Sequence, residues 1–263
     1  MAYSERWGGR APNHDVTVVS IDDTKRRPRT VAIGSFDGVH LGHRDVIRQC
    51  DTVLTFVPHP LQILRPDITP ALLTNDDYKI AKLSALGVRE VVTIPFDAHW
   101  ARQPADDFID EVLVHTLDAR EISVGFNFRF GANGTGTPER LQQDERFRTR
   151  VVPPFAVGST VVSSTVIRAL IDRGDVQGAA VLLGEPFAQP AKIQGRHTVE
   201  FAQDLAVPPA GMYVCDIDGV VVLLSCNGKP RLVNANDLPA LKERDATVTF
   251  LARLDSDSEV QPP

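Results

Sequence analysis

Along the first part of the chain, apolar residues fall into short, nearly continuous runs separated by stretches of helical spacing. Val16 to Ile21, Thr30 to Ile33, Asp51 to Phe56, Glu90 to Pro95, Glu121 to Gly125 and Thr149 to Pro153 each read as a β-strand. Between them lie helical segments. Leu41 to Gln49 is brief. A second is capped by Thr74 or Asn75, carries Ile80, Leu83 and Leu86 on one face, and stops at Gly87. A third opens at Pro104, with acidic residues in its first turn and Phe108, Val112 and Leu113 inward. Thr137 and Pro138 start a polar fourth. Strands without alternation, interleaved with helices, predict an α/β fold built on a doubly wound, mostly parallel sheet. Ligands of such sheets bind outside the carboxyl ends of the strands. Gly34–His43, Pro58–Pro60 and Gly125–Thr137 all follow predicted strands and so can open on that edge.

The pattern changes towards the C-terminus. Ser163-Ser-Thr-Val-Ile-Arg168 begins a helix that ends near Gly174, and Asp175 caps another that stops at Gly184. Glu185 to Pro190 reads as a link. Beyond it, Pro209 to Ile217, the Asp218-Gly219 turn, Val220 to Cys226, Lys229 to Val233 and Thr247 to Leu254 read as strands and turns. Two domains are therefore expected: residues 1–187, α/β, and residues 188–263, smaller and β-rich. Residues 1–14 and the tail after Leu254 are polar and aperiodic, as poorly ordered ends are. The basic run Lys25-Arg-Arg-Pro-Arg29 reads as a solvated surface loop.

Composition narrows the function. A chain of 263 residues with net charge −6 and 43% hydrophobic residues is an ordinary globular protein. The acidic balance argues against nucleic acid or a membrane surface as the main partner. No apolar run approaches the ~20 residues that span a bilayer, and Met-Ala-Tyr-Ser-Glu-Arg-Trp at the start lacks a signal core, so a soluble, cytoplasmic protein is expected. A hairpin at Asp218-Gly219 would set Cys215 opposite Val222 and Cys226 opposite Gly211. These cysteines are then not cross-strand partners, and reduced thiols are expected for all three, Cys50 included.

The chemistry concentrates at Gly34-Ser-Phe-Asp-Gly-Val-His-Leu-Gly-His43. A strand feeding a glycine-containing turn at a helix start is an anion site, because unpaired backbone N–H groups and the helix dipole point outward there. Two imidazoles bracketing Gly42 suit phosphate. Taken alone, two histidines beside a turn are more often mere surface residues. Three further segments follow in order: Phe56-x-Pro-His-Pro60, Gly125-Phe-Asn-Phe-Arg-Phe-Gly131 with Gly134-Thr-Gly-Thr137, and Ser163-Ser-Thr-x-Ile-Arg168. Together with Gly174-Asp-Val…Leu-Leu-Gly184, these resemble the nucleotidylyltransferase superfamily over residues 15–187. The form is that of the adenylyltransferase module of bacterial riboflavin kinase/FAD synthetases.

The resemblance implies a Rossmann-like sheet and transfer of AMP from ATP to the phosphate of FMN, giving FAD and pyrophosphate, with Mg²⁺ accompanying ATP. His40, His43, Ser164 and Arg168 would act on the reacting phosphates. Gly34, Ser35, Phe36, Asp37, Gly42, Asn127, Ser164, Thr165 and Arg168 would bind nucleotide. Phe56, Pro58, His59, Pro60, Asn127 and Phe128 would wall the flavin. Each also has a plainer role open to it: core packing for the phenylalanines, turn bracing for Asp37, helix capping for Ser164 and a rigid turn for His59. No spacing gathers a protein metal site from His40, His43, His59 and Cys50.

Two departures stand out. The span from His43 to Phe56 is shorter than the resemblance leads one to expect, so the crossover is tight and the neighbouring flavin wall open to reshaping. The C-terminal part resembles a truncated riboflavin kinase barrel, with Pro209-Ala-Gly-Met-Tyr-Val matching its Pro…Gly-Val-Tyr strand. It lacks the Gly-Phe-Pro-Thr-Ala-Asn motif, and Gln194 to Glu200 stands where that motif should begin. The glutamate expected as catalytic base has no clear counterpart either. An FMN adenylyltransferase without kinase activity is the leading expectation. A nucleotidylyltransferase with another base or acceptor, and a non-catalytic flavin- or nucleotide-binding regulator, stay beside it.

Overall fold

The computed structural model describes residues 16–195, 197–233 and 244–254; the expectations for residues 1–14 and for the tail after Leu254 lie outside them. The chain forms two compact units, Met1–Pro70 with Asp76–Phe155, and Ala71–Asn75 with Ala156–Pro263.

The first unit contains strands β1 (Thr17–Ser20), β2 (Arg29–Ile33), β3 (Thr52–Val57), β4 (Glu90–Pro95), β5 (Ala119–Gly125) and β6 (Arg148–Val152). They pair in the order β1-β4-β3-β2-β5-β6, every pair parallel. Alternate residues enter two separate cores. Val31, Ile33, Leu54, Val92 and Ile94 join one with Phe108, Val112, Leu113 and Leu141. Ala32, Val53 and Val91 join the other with Val46, Ile47 and Leu83. A sheet buried on both faces needs apolar residues at successive positions, which is why these strands do not alternate. The predicted doubly wound sheet is present, and its strand order reverses between β2 and β5.

The helices of this unit are α1 (Leu41–Ile47), α2 (Pro60–Leu64), α3 (Asp76–Ala85), α4 (Ala105–Asp107) and α5 (Pro138–Gln142). From Phe108 to Thr116 the helix begun by α4 continues in π form. Its last turn closes with the Leu117 amide on the Val112 carbonyl at 2.9 Å. That widening was not legible in the spacing of Phe108, Val112 and Leu113, which are buried as expected.

Two expectations for this unit are corrected. On α3, Leu83 is buried, Ile80 is half-buried and Leu86 is exposed; the second buried residue of the helix is Lys79, at i, i+4 from Leu83. Leu86 falls beyond the helix end, in the turn before Gly87, whose φ is +86°. The basic run is not simply solvated. Arg29 is buried and grips Glu90 through Nε at 2.7 Å and Nη2 at 3.2 Å, while Nη1 donates to the Leu117 carbonyl. Burial alone would raise the Glu90 carboxyl, but hydrogen bonding and charge from Arg29, then Arg27 and Thr52, hold it below the usual range.

The second unit begins with a small hairpin, β7 (Ala156–Val157) and β8 (Thr160–Val161), followed by α6 (Ser164–Asp172) and α7 (Val176–Leu183). Strands β9 (Phe187–Gln194), β10 (Thr198–Phe201), β11 (Met212–Ile217), β12 (Val220–Ser225), β13 (Arg231–Leu232) and β14 (Arg244–Leu254) close into a barrel in the order β10-β13-β12-β11-β14-β9. The expected link at Glu185–Pro190 is therefore mostly strand, with Gln189 paired to Val248 and Pro190 to Thr247. The units divide ahead of α6 rather than at the expected 187/188. The apolar sides of α6 and α7 (Ile167, Ile171, Val176, Leu183) share one core with Phe187, Tyr213 and Phe250.

Leu72 joins this unit through a parallel bridge to Leu205. The fully buried Gln189 carboxamide donates to the carbonyls of Leu72, Leu73 and Ala206. At the β11–β12 hairpin, Asp218 (φ +55°) and Gly219 (φ +85°) both adopt the left-handed conformation that suits a two-residue turn. Cys215 pairs with Val222, and the Cys226 amide donates to the Gly211 carbonyl, as expected; all three cysteines are free.

Candidate functional site

The loop between β2 and α1 is built from a succession of unusual backbone conformations. Phe36 (φ +50°), Gly38 (φ +88°) and Val39 (φ +46°) all lie in the left-handed region. A β-branched residue there is strained. It is held because Phe36 and Val39 are buried in one core with Val46 and Leu83. From the opposite side, Lys82 of α3 donates from Nζ to the Gly38 carbonyl at 3.3 Å. The Gly34 amide donates to the Leu54 carbonyl at 3.2 Å, carrying the β2–β3 ladder one residue into the loop.

This path delivers His40 to the N-cap of α1, where its Nδ1 accepts the His43 amide at 3.2 Å. The neutral ring then carries its proton on Nε2, leaving an N–H donor there. One helical turn on, the His43 ring stacks on His40 with centroids 3.5 Å apart and planes 14° from parallel. The Phe36 ring meets His43 edge-on at 5.4 Å. Gly42 fits between because it has no side chain: a Cβ would lie 3.3 Å from His40 Cε1 and 3.6 Å from Phe155 Cβ. Burial, then the His40 ring and the Lys79 ammonium, hold His43 well below the usual histidine range. His43 Nδ1 is buried with no hydrogen-bond partner among the described residues. Asp37 is buried within the same loop, and Ser35 gives its carbonyl to the Thr55 hydroxyl at 3.4 Å.

The crossover after His43 is short, as the sequence implies, and its ending has a cause. The Val46 carbonyl accepts from Ser123 Oγ at 2.6 Å and from Arg150 Nη2 at 2.9 Å, which also reaches the Arg48 carbonyl at 2.6 Å. Carbonyls satisfied from β5 and β6 do not need another helical turn. Gln49, at φ +69°, then reverses the chain.

The other predicted loops leave neighbouring strands of the same edge, since β3 and β5 flank β2. Pro58 follows a cis peptide bond, and His59 caps α2 by accepting the Leu61 amide on Nδ1 at 3.2 Å while Pro60 takes the first helical position. Phe56 is half-buried against the core, edge-on to Phe96 at 5.7 Å. Phe128 stacks on Phe130 at 5.6 Å, and Asn127 is exposed between them and Gly125. The glycines of this motif have structural duties. A Cβ on Gly136 would meet the Phe130 ring at 2.6 Å, and one on Gly131 would meet the Ala105 backbone at 2.7 Å.

Ser164, Thr165 and Arg168 belong to the second unit, on the first turns of α6. The cap is Ser163, whose hydroxyl accepts the Val166 amide at 3.3 Å, and not Ser164 as its plainer reading had it. Ser164 is partly exposed and Thr165 exposed at the helix start, and Arg168 Nε donates to the Ala71 carbonyl at 2.7 Å. Reading the cap one residue earlier was possible from the paired serines, since the first helical residue follows the cap. Lys79 and Lys82 were missed altogether: a lysine on the apolar stripe of a short helix gives no signal of what it faces.

Among the described residues, no three His, Cys, Asp or Glu side chains gather as a metal-binding group, and no helix is long and apolar enough to cross a membrane.

A family model described as FAD synthetase matches residues 22–166. The chain is 33% identical over 221 residues to a bifunctional riboflavin kinase/FMN adenylyltransferase of Escherichia coli (strain K12), covering 76% of this chain and 69% of that protein. A protein of the same description from Bacillus subtilis (strain 168) is 31% identical over 223 residues, covering 75% and 70%. Among solved structures, a crystal structure described as a macrolide-efflux protein from Streptococcus pneumoniae has a TM-score of 0.80 at 24% identity. The match covers 91% of this chain and 100% of that one, a likeness of fold alone.

Proposed function

The chain belongs to the FAD synthetase family and is a nucleotidyltransferase; from that premise we propose that it transfers AMP from ATP to FMN and does not phosphorylate riboflavin. The observation that carries the first half is the stacked His40–His43 pair at the helix start that follows β2, where the strand order reverses. An FMN phosphate oxygen attacks the α-phosphorus, the new P–O bond completes the anhydride of FAD, and the bond to pyrophosphate breaks. The nucleophile is already anionic near neutral pH, so the protein's task is to align two polyanions and stabilise charge as it develops.

His40 would donate through Nε2 to the phosphate chain, and His43 would share that load one turn along. Gly34, Ser35, Phe36, Asp37 and Gly42 form the loop along which nucleotide would lie. In the second unit, Ser164, Thr165 and Arg168 would serve the β- and γ-phosphates, with Arg168 oriented by its bond to the Ala71 carbonyl. Phe56, Pro58, His59, Pro60 and Phe128 would wall the flavin, with Asn127 as a polar contact. Mg²⁺ brought in with ATP would shield phosphate charge.

The second half rests on the barrel. Where the kinase motif should begin, β9 turns directly into β10, with Gln194 paired to Thr198.

One experiment tests both. The protein is incubated with Mg²⁺ and ATP plus either FMN or riboflavin, and pyrophosphate and flavin products are followed. FAD from FMN and no FMN from riboflavin is the expected result. No FAD overturns the first half, and FMN from riboflavin overturns the second. Pyrophosphate release only with another phosphorylated acceptor would favour the broader nucleotidyltransferase reading.

A further inference from the structure

Within the second unit, Arg168 of α6 donates from Nε to the Ala71 carbonyl at 2.7 Å. The guanidinium is planar, so a bond at Nε also sets the plane in which its other nitrogens lie. Ala71 opens the stretch Ala71–Asn75, which belongs to this unit although it is distant from the rest of it in sequence. The Leu72 amide donates to the Asp204 carbonyl at 2.7 Å, and the Leu72 carbonyl accepts the Ala206 amide at 2.8 Å. Leu73 is buried in the same core as Ile167, the residue before Arg168. Gln189 of β9 reaches into this stretch. It is fully buried, and its Nε2 donates to the carbonyls of Leu72 and Leu73, both at 3.3 Å, and of Ala206 at 3.0 Å. Its Oε1 is buried with no hydrogen-bond partner among the described residues. An unsatisfied buried acceptor is destabilising, and an apolar side chain of similar length would avoid it. What the carboxamide supplies in return is placement, because carbonyls of two separate segments converge on one donor group.

We propose that Gln189 is a positioning residue for Arg168: it fixes the 71–75 stretch, whose Ala71 carbonyl orients the guanidinium for nucleotide phosphate. The inference rests on the phosphate role proposed above for Arg168. The Ala71 carbonyl and the Leu72 amide belong to one planar peptide unit. That plane is held on one side by Arg168 and on the other by the Asp204 carbonyl. Gln189 holds the next two carbonyls along the chain, so the plane cannot tilt without breaking bonds to a buried, fixed donor. A side chain of the barrel thereby contributes to adenylyl transfer without touching a substrate, and the barrel has work to do in a chain that phosphorylates no riboflavin.

The test is a double-mutant cycle on the full chain, read as ATP affinity by calorimetry with Mg²⁺ and without FMN. Wild type, Gln189→Met, Arg168→Ala and the double variant are compared. Methionine keeps the length of glutamine and removes its donors. The expected result is ATP binding weakened about fivefold or more by Gln189→Met in the wild-type background, and by less than about twofold once Arg168 is alanine. A loss of equal size in both backgrounds overturns the proposal, because Gln189 would then support the fold and not act through Arg168. No loss in either background overturns it as well. Should the Met variant not fold, Gln189→Asn, which draws the donor back by one methylene, carries the same cycle with the same expectations. Arg168→Ala that binds ATP as wild type does would remove the phosphate role of Arg168 and this proposal with it. FAD formation is scored separately. Wild type that makes no FAD while the cycle stays non-additive removes the FMN reading and leaves this inference standing.

Discussion

His40 and His43 are coupled twice: the Nδ1 of the first accepts the amide of the second at 3.2 Å, and their rings stack 3.5 Å apart. The cap sets the tautomer of His40, and the stack sets where both outer edges point. Replacing either ring with alanine should lower FAD formation by about 10²- to 10⁴-fold, the range for removing a positioned proton or oxyanion donor. FMN binding, measured by flavin fluorescence quenching, should largely survive. Equal losses of FMN affinity and turnover would argue for a collapsed loop instead.

His43 also makes a pH prediction. Its folded pKa lies well below 6.5 and an unfolded histidine titrates near that value. The unfolded chain therefore binds the extra proton first as pH falls. Stability should decline from about pH 6.5 down to the folded pKa and level off below it. Urea titrations at several pH values should show that slope reduced in His43→Gln.

Gly42→Ala should act on catalysis more than on folding. Its Cβ would sit 3.3 Å from His40 Cε1 and 3.4 Å from Nδ1, so the ring must give by a few tenths of an ångström. A loss of about tenfold in turnover with little change in thermal midpoint is expected, in line with the cost of small misplacements.

At the other end of the sheet, Arg29→Met should strand Glu90 without its main partner and cost about 3–5 kcal/mol in chemical denaturation. The pair's contribution has the same pH sign as that of His43, since both folded pKa values lie below the unfolded ones. Glu90 is held below its ordinary value, so its stabilisation is present above about pH 4.5 and is lost as pH falls through the folded pKa.

Burial, with the neighbouring Cys226 second, pushes the Cys215 thiol up to about 12, and burial pushes Cys226 to about 11. Neither is a thiolate near neutrality. Alkylation of the native protein at pH 8 followed by mass spectrometry should leave both unmodified, and unfolding should expose them.

Much of this protein was fixed by local sequence. Apolar runs at Val31-Ala-Ile33 and Val91-Val92 are what a strand buried on both faces requires, and their alternation with helices determined the parallel sheet. Asp218-Gly219 determined its hairpin, because those two residues tolerate positive φ. The order of Gly34–His43, the Pro-His-Pro turn, the Gly-Phe-Asn-Phe loop and the Ser-Ser-Thr…Arg segment determined the family. The tertiary structure decided what local pattern cannot carry. Burial of Arg29 depends on Glu90 arriving from another strand, and the strained backbone at Val39 on a core shared with Leu83. The early end of α1 depends on Ser123 and Arg150, far along the chain, taking its last carbonyls. A lysine on a helix stripe reads the same whether it faces water or the interior, and packing alone buried Lys79.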